Sequence, residues 1–171
     1  NTATYSNPAA NPGVWQSVLA ATPYATAGAN DYAMAFTMPL TAASPDAWRI
    51  KPPPRLASGK YRRDFEETKA YGALTSTTRT PAMTNVVQFW TESGFTLWSR
   101  NVRDIVTARG LDEFEAARAL AAFSVATGDA MLACFESKYV YMFWRPWQAI
   151  QRAEVDSNPR TQPDPAWTPT V

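Results

Sequence analysis

Lys138 and Arg145 stand seven residues apart in the stretch Lys138-Tyr139-Val140-Tyr141-Met142-Phe143-Trp144-Arg145-Pro146. On one continuous helix they would share a face, separated by about two turns and roughly 10 Å of rise. Side chains of that length can close on a single tetrahedral oxyanion. The lysine acts as a point charge and the arginine as a planar fork giving paired hydrogen bonds. Tyr139, Tyr141, Phe143, Trp144 and Trp147 surround the pair. Apolar walls lower the local dielectric and strengthen such charge interactions. The same spacing also fits two cations that favour the end of a helix dipole and lie over aromatic rings, binding nothing.

Other chemistries are excluded by composition. The 171 residues include no histidine, so the chain holds no Ser-His-Asp or Cys-His triad and no histidine metal ligand of its own. One cysteine, Cys134, allows no internal disulfide and no zinc cluster of the cysteine type. Sixteen Lys and Arg nearly balance fifteen Asp and Glu, and a net charge of +1 gives no broad basic face for nucleic acid or anionic lipid. Any anion site is therefore local. No apolar run approaches the ~18 residues of a membrane helix, so no membrane span is expected. The chain opens at Asn1 with no basic-then-apolar leader. Nothing in it fixes a compartment.

The elements that position the pair read as helices. Residues 1–59 carry eight of the 14 prolines, with turn signals at Asn7-Pro8, Asn11-Pro12 and Ser44-Pro45-Asp46. Trp15, Tyr24, Tyr32, Phe36 and Trp48 lie between them, so this segment is expected to be irregular and to wrap over a helical body. Residues 60–150 form the helical portion. A short helix is expected over Asp64–Tyr71, ending near Gly72. A second is expected from Ala82 to about Thr91, with Thr80-Pro81 as its cap and Gly94 closing it. A third runs Leu97–Arg109, stopped by Gly110. The longest starts near Asp112 and runs through Lys138, with an extension to Trp144 open and Pro146 as its limit. Phe114, Ala117, Ala121, Val125, Leu132 and Phe135 repeat along it at helical spacing. Residues 151–171 turn polar and proline-rich again. No repeat and no strand alternation appears, and the fold class is all-α.

Lys138-x6-Arg145-Pro146 resembles the first signature of the superfamily that joins vanadium-dependent haloperoxidases to type-2 phosphatidic acid phosphatases and bacterial acid phosphatases. More of the chain is similar to the haloperoxidase-like branch. The likeness includes Tyr61, Asp64, Phe65, Glu67, Lys69 and Gly72, then Ser76-Thr77-Thr78-Arg79-Thr80 and Phe89-Trp90. It continues through Asp129-Ala130, Trp144-Arg145-Pro146 with Ala149-Ile150, and Asp164-Pro165-x-Trp167-x-Pro169. The resemblance implies an all-α helical bundle with an oxyanion at one end of its core. Lys138 and Arg145 would bind the non-protein oxygens of vanadate, or of phosphate in the same site. Phe135, one turn before Lys138, matches an aromatic that some members place beside the anion. Trp144 is a further candidate contact or a packing residue. Glu92 and Asp129 match acids of the family, and both also read as buried or capping carboxylates.

The family's second signature, Pro-Ser-Gly-His, and its third, with the histidine that bonds vanadium or phosphorus, are not in this sequence. The resemblance therefore implies an N-terminal or middle portion of an enzyme, incomplete by itself. Its partner would be a second polypeptide or C-terminal half carrying that histidine. No residue here is expected to bond the metal directly. The implied activity is vanadate-dependent oxidation of halide by hydrogen peroxide. One alternative is an acid phosphatase with a phosphohistidine intermediate. Another is a non-catalytic helical module or truncated relative. A homo-oligomer and a secreted or periplasmic location are further expectations from the family.

Overall fold

A computed structural model describes residues 11–15 and 31–171. The Asn7-Pro8 turn and Tyr24 lie outside the described residues. Five α-helices follow in chain order: α1 Gly59–Gly72, α2 Pro81–Phe89, α3 Gly94–Arg109, α4 Glu113–Tyr141 and α5 Pro146–Gln151. Short 3-10 turns occupy Tyr32–Phe36 and Ala153–Val155. Among the described residues there is no strand, only isolated bridges at Val14–Phe143 and Ala73–Pro169. The protein is all-α, as its sequence implies.

Side-chain caps fix where the helices begin. Ser58 Oγ accepts from Tyr61 N at 3.1 Å, so α1 opens five residues before the expected Asp64. Thr80 Oγ1 accepts from Met83 N at 3.3 Å, ahead of Pro81 in the first turn of α2. Gly94 does not close α2; it opens α3, with Ser93 before it. Gly110 ends α3 in the left-handed conformation, φ 60°. Asp112 and Glu115 form a capping box at α4, with bonds of 2.8 and 3.2 Å.

Helix α4 stops at Tyr141, short of Trp144. Met142 takes φ 45°, a left-handed cap, and its N–H still closes on Lys138 O at 3.0 Å. Residues 142–144 then run beside residues 13–15. Trp15 N donates to Met142 O at 2.7 Å, and Trp144 N donates to Gly13 O at 2.9 Å. Arg145 is extended, φ −74° and ψ 154°, as a residue before proline prefers. Pro146 therefore starts a new helix, α5, which the sequence reading did not separate.

Two regions of packing result. The compact core joins Tyr61 and Phe65 of α1 to Trp144, Ala149, Ile150, Ala153 and Trp167. Trp167 Nε1 donates to Lys69 O at 3.0 Å. Its ring lies 3.3 Å from where a Cβ on Gly72 would sit, so a glycine lets the Trp167 ring close on α1. Arg79 ties the end of α1 to the C-terminal segment, donating to Ala73 O at 2.9 Å and to Thr170 Oγ1 at 2.9 Å. The second region is a strap, residues 31–50, laid along α4. Tyr32 meets Tyr139 edge-to-face at 4.9 Å. Asp129 and Glu136, buried on α4, hold the strap at Leu40, Thr41 and Arg49. By contrast α2 buries no residue and α3 only Leu97. Phe89, Trp90, Trp98 and Ile105 are each more than half exposed.

One helix bears on the expectation that no membrane span is present. Over an 18-residue window α4 reaches a mean hydropathy of 1.3, long and apolar enough by length and composition to cross one. Its many alanines raise the mean without an unbroken run of large apolar residues. Asp129 and Glu136 within it face protein.

Trp167→Ala removes the centre of the compact core and its bond to α1. An expected loss of about 3–5 kcal/mol, read from urea unfolding, checks that this cluster carries the stability. A loss below about 1 kcal/mol would show that the core lies elsewhere.

Candidate functional site

The last turn of α4 and the first residue before α5 hold the two cations. They are not on one helix face, since α4 ends at Tyr141 and Arg145 lies beyond the left-handed Met142. Burial, and next the Arg145 guanidinium, pull the Lys138 ammonium below its ordinary range, while Cys134 and Asp31 act weakly the other way. By accessible surface Lys138 is exposed, so burial reaches only part of its side chain. Its Nζ lies 5.0 Å from the Phe135 ring centroid and 5.3 Å from that of Tyr139, and these rings displace part of its water. Phe135 and Tyr139 stack at 6.1 Å.

Neither cation has an ion pair among the described residues. Among the described residues the ion pairs involve Arg49, Lys60 and Arg100, never Lys138 or Arg145. The Arg145 backbone N–H is taken by Gln148 Oε1 at 3.0 Å, which orients the start of α5. A lysine point charge and an arginine fork without ion pairs among the described residues are free to engage an anion.

The remaining candidates separate. Phe135 sits beside Lys138. Trp144 is buried in the compact core at 4% exposure, facing Tyr61, so it packs instead of lining the cationic corner. Asp129 accepts from Leu40 N at 2.7 Å, Thr41 N at 2.8 Å and Thr41 Oγ1 at 2.6 Å. These bonds hold its carboxyl below the usual carboxylate range. It is a buried clamp on the strap. Glu92 pairs with Arg100 at 2.6 Å on the surface, and no bond joins it to Lys138 or Arg145.

A groove of about 870 Å³ runs between α4 and the strap and reaches Lys138. Its floor includes Ala126, Ala130 and Cys134, which lead at four-residue intervals to Lys138; its wall includes Thr41, Trp48, Ile50, Lys51 and Pro53. The floor was readable from helical spacing. The wall was not, because Arg49 and Ile50 meet α4 across 87 residues of chain. No group of three or more Cys, Asp and Glu able to hold a metal ion occurs among the described residues.

The fold is all-α, and Lys138 and Arg145 lie at the junction of α4 and α5. Residues 118–171, from within α4 to the C-terminal segment, match the family model of the VCPO second helical-bundle domain. This portion is similar to that helical-bundle domain, and both Lys138 and Arg145 fall inside the matched residues. No curated protein and no solved structure matches the chain.

Because the folded Lys138 pKa lies below the unfolded value, its charge costs stability below the folded pKa. That cost disappears as pH rises through the unfolded value, about 10.4. Arg145→Ala should move the Lys138 titration, followed by NMR at its Cε, upward toward that value. An unchanged titration would show that the two cations do not sense each other.

Proposed function

We propose that the chain supplies Lys138 and Arg145 to the oxyanion cage of a vanadate-dependent, haloperoxidase-like enzyme. The reading is carried by one observation: Lys138 senses the Arg145 charge, and among the described residues neither has an ion pair. The match of residues 118–171 to a VCPO domain supports it. The donor set fits a vanadate or phosphate oxyanion, because point charge and planar fork can divide its non-protein oxygens. Vanadate, when bound, would supply Lewis-acid activation of hydrogen peroxide for halide oxidation.

The chain's own work is electrostatic. Arg145 keeps its charge at every working pH and neutralises the anion. Lys138 holds its proton at Nζ and donates toward developing negative charge; a lowered pKa makes that donor more acidic. Phe135 and Tyr139 exclude water from beneath it. The missing histidine belongs to a second polypeptide or C-terminal segment, which completes the cage. A phosphatase would use the same two cations, so the acceptor assay separates the activities.

Denaturing intact-mass measurement of the purified protein is expected to show a histidine-bearing polypeptide, either separate or continuous with this one. Orthovanadate binding, followed by vanadium NMR, should weaken about tenfold or more in Lys138→Ala and in Arg145→Ala. Vanadate-dependent halide oxidation should fall with it. Phosphate-ester hydrolysis without halide oxidation would favour the phosphatase. A single 18.9 kDa species that binds no orthovanadate would sink the reading and leave a non-catalytic helical module.

A further inference from the structure

We propose that the groove between α4 and the strap binds an amphiphile with one anionic head and an extended apolar body, of the fatty carboxylate class. The head would sit at Lys138, and the body would lie along the floor toward Ala126. This site shares Lys138 with the oxyanion reading, but needs neither Arg145 nor a histidine-bearing segment.

Three observations carry it. First, the groove is pre-formed. The strap is pinned at one end by Asp129 to Leu40 and Thr41. At the other end Arg49 bonds Glu136 at 2.7 Å, and Ile50 N bonds Ser137 Oγ at 3.3 Å. The wall between these pins cannot collapse onto α4 without breaking them, and pre-formed concave apolar sites are the usual small-molecule sites.

Second, the wall remains apolar and uncovered. Trp48 is 43% and Ile50 66% exposed, although both line the groove. The floor offers only small side chains, so an extended chain can lie against the helix backbone. At about 870 Å³ the space falls within the range that drug-sized ligands fill.

Third, the charge is one-sided. Lys51 and Lys138 line the groove against a single acid, Asp129. Asp129 already accepts three hydrogen bonds from Leu40 and Thr41, and neither lysine has an ion pair among the described residues. Two positive charges against one negative leave a net of one, which matches a monoanionic head.

The test is calorimetric titration of the full chain with laurate below its micelle concentration, with dodecanol and acetate as controls. Laurate should saturate at one site, and both controls should bind at least about tenfold more weakly. Lys138→Ala should weaken laurate about tenfold. Ala130→Trp, which places an indole on the open floor, should abolish laurate binding while leaving orthovanadate binding intact. Circular dichroism melts confirm that both variants fold. Laurate binding unchanged in both variants would place it elsewhere, on exposed apolar surface such as α2 and α3, and overturn the proposal. So would an absence of saturable binding, the result expected if a second copy of the chain or another polypeptide fills the groove. Orthovanadate binding without laurate binding would end this proposal alone. The reverse would end the oxyanion reading alone.

Discussion

The left-handed turn at Met142 is the constraint on which the cationic corner depends. A continuous helix would have carried Lys138 and Arg145 along one rod, about two turns apart. The helix instead caps itself at Met142, whose N–H closes on Lys138 O, and the next two residues leave in an extended path. Pro146 enforces that path from the other side, since it disfavours a helical Arg145. The bonds from Trp15 to Met142 and from Trp144 to Gly13 satisfy the backbone groups freed by the break. Trp144 then drops into the compact core and fixes the corner to α1. A positive φ at a non-glycine residue is sterically unfavourable, and here it coincides with the arrangement that brings two cations together.

Polar groups do much of the work that apolar contacts do elsewhere. The strap carries few buried side chains, Ala35 being one. It is held by Asp129 and Glu136, both almost fully buried on α4. A buried carboxylate without partners would be strongly unfavourable. Asp129 is satisfied by the strap's own N–H and hydroxyl groups, and Glu136 Oε1 by the Arg49 guanidinium. Such bonds reward one register and penalise its neighbours, which a smooth apolar contact does not. Glu136 Oε2 has no hydrogen-bond partner, and the geometry gives no physical account of it.

Local chemistry was legible in the sequence where one residue decides the outcome. Thr80-Pro81, Gly110 and Asp112 with Glu115 mark helix ends because a cap needs only its own backbone neighbours. Lys138, Phe135 and Arg145 were legible as candidates from type and spacing. Their geometry was not, because nothing in Tyr141-Met142-Phe143 announces a left-handed residue; methionine is an ordinary helix former. The opening of α1 at Ser58 and the role of Gly94 were missed for a related reason, since glycine both starts and stops helices. The strap's contacts lay beyond any local rule. Asp129 reads as a family acid or a buried carboxylate from sequence, and only its partners 88 and 89 residues away identify it as a clamp.

The energetic oddity of the corner is the best guide to what it does. Burial of the Lys138 ammonium, and next the Arg145 charge, disfavour its charged form in the folded state, and the lowered Lys138 pKa expresses that cost. Folding alone would favour a carboxylate between them, and acids are available: Glu92 is spent on Arg100, Glu136 on Arg49, and Asp129 on the strap. Among the described residues neither Lys138 nor Arg145 has an ion pair, and Asp31 and Cys134 act on Lys138 only through space. An anion placed beside Lys138 and Arg145 would be attracted by both charges and would offset the repulsion between them. A helix end serving only its dipole needs one such cation, not two held in opposition on separate elements.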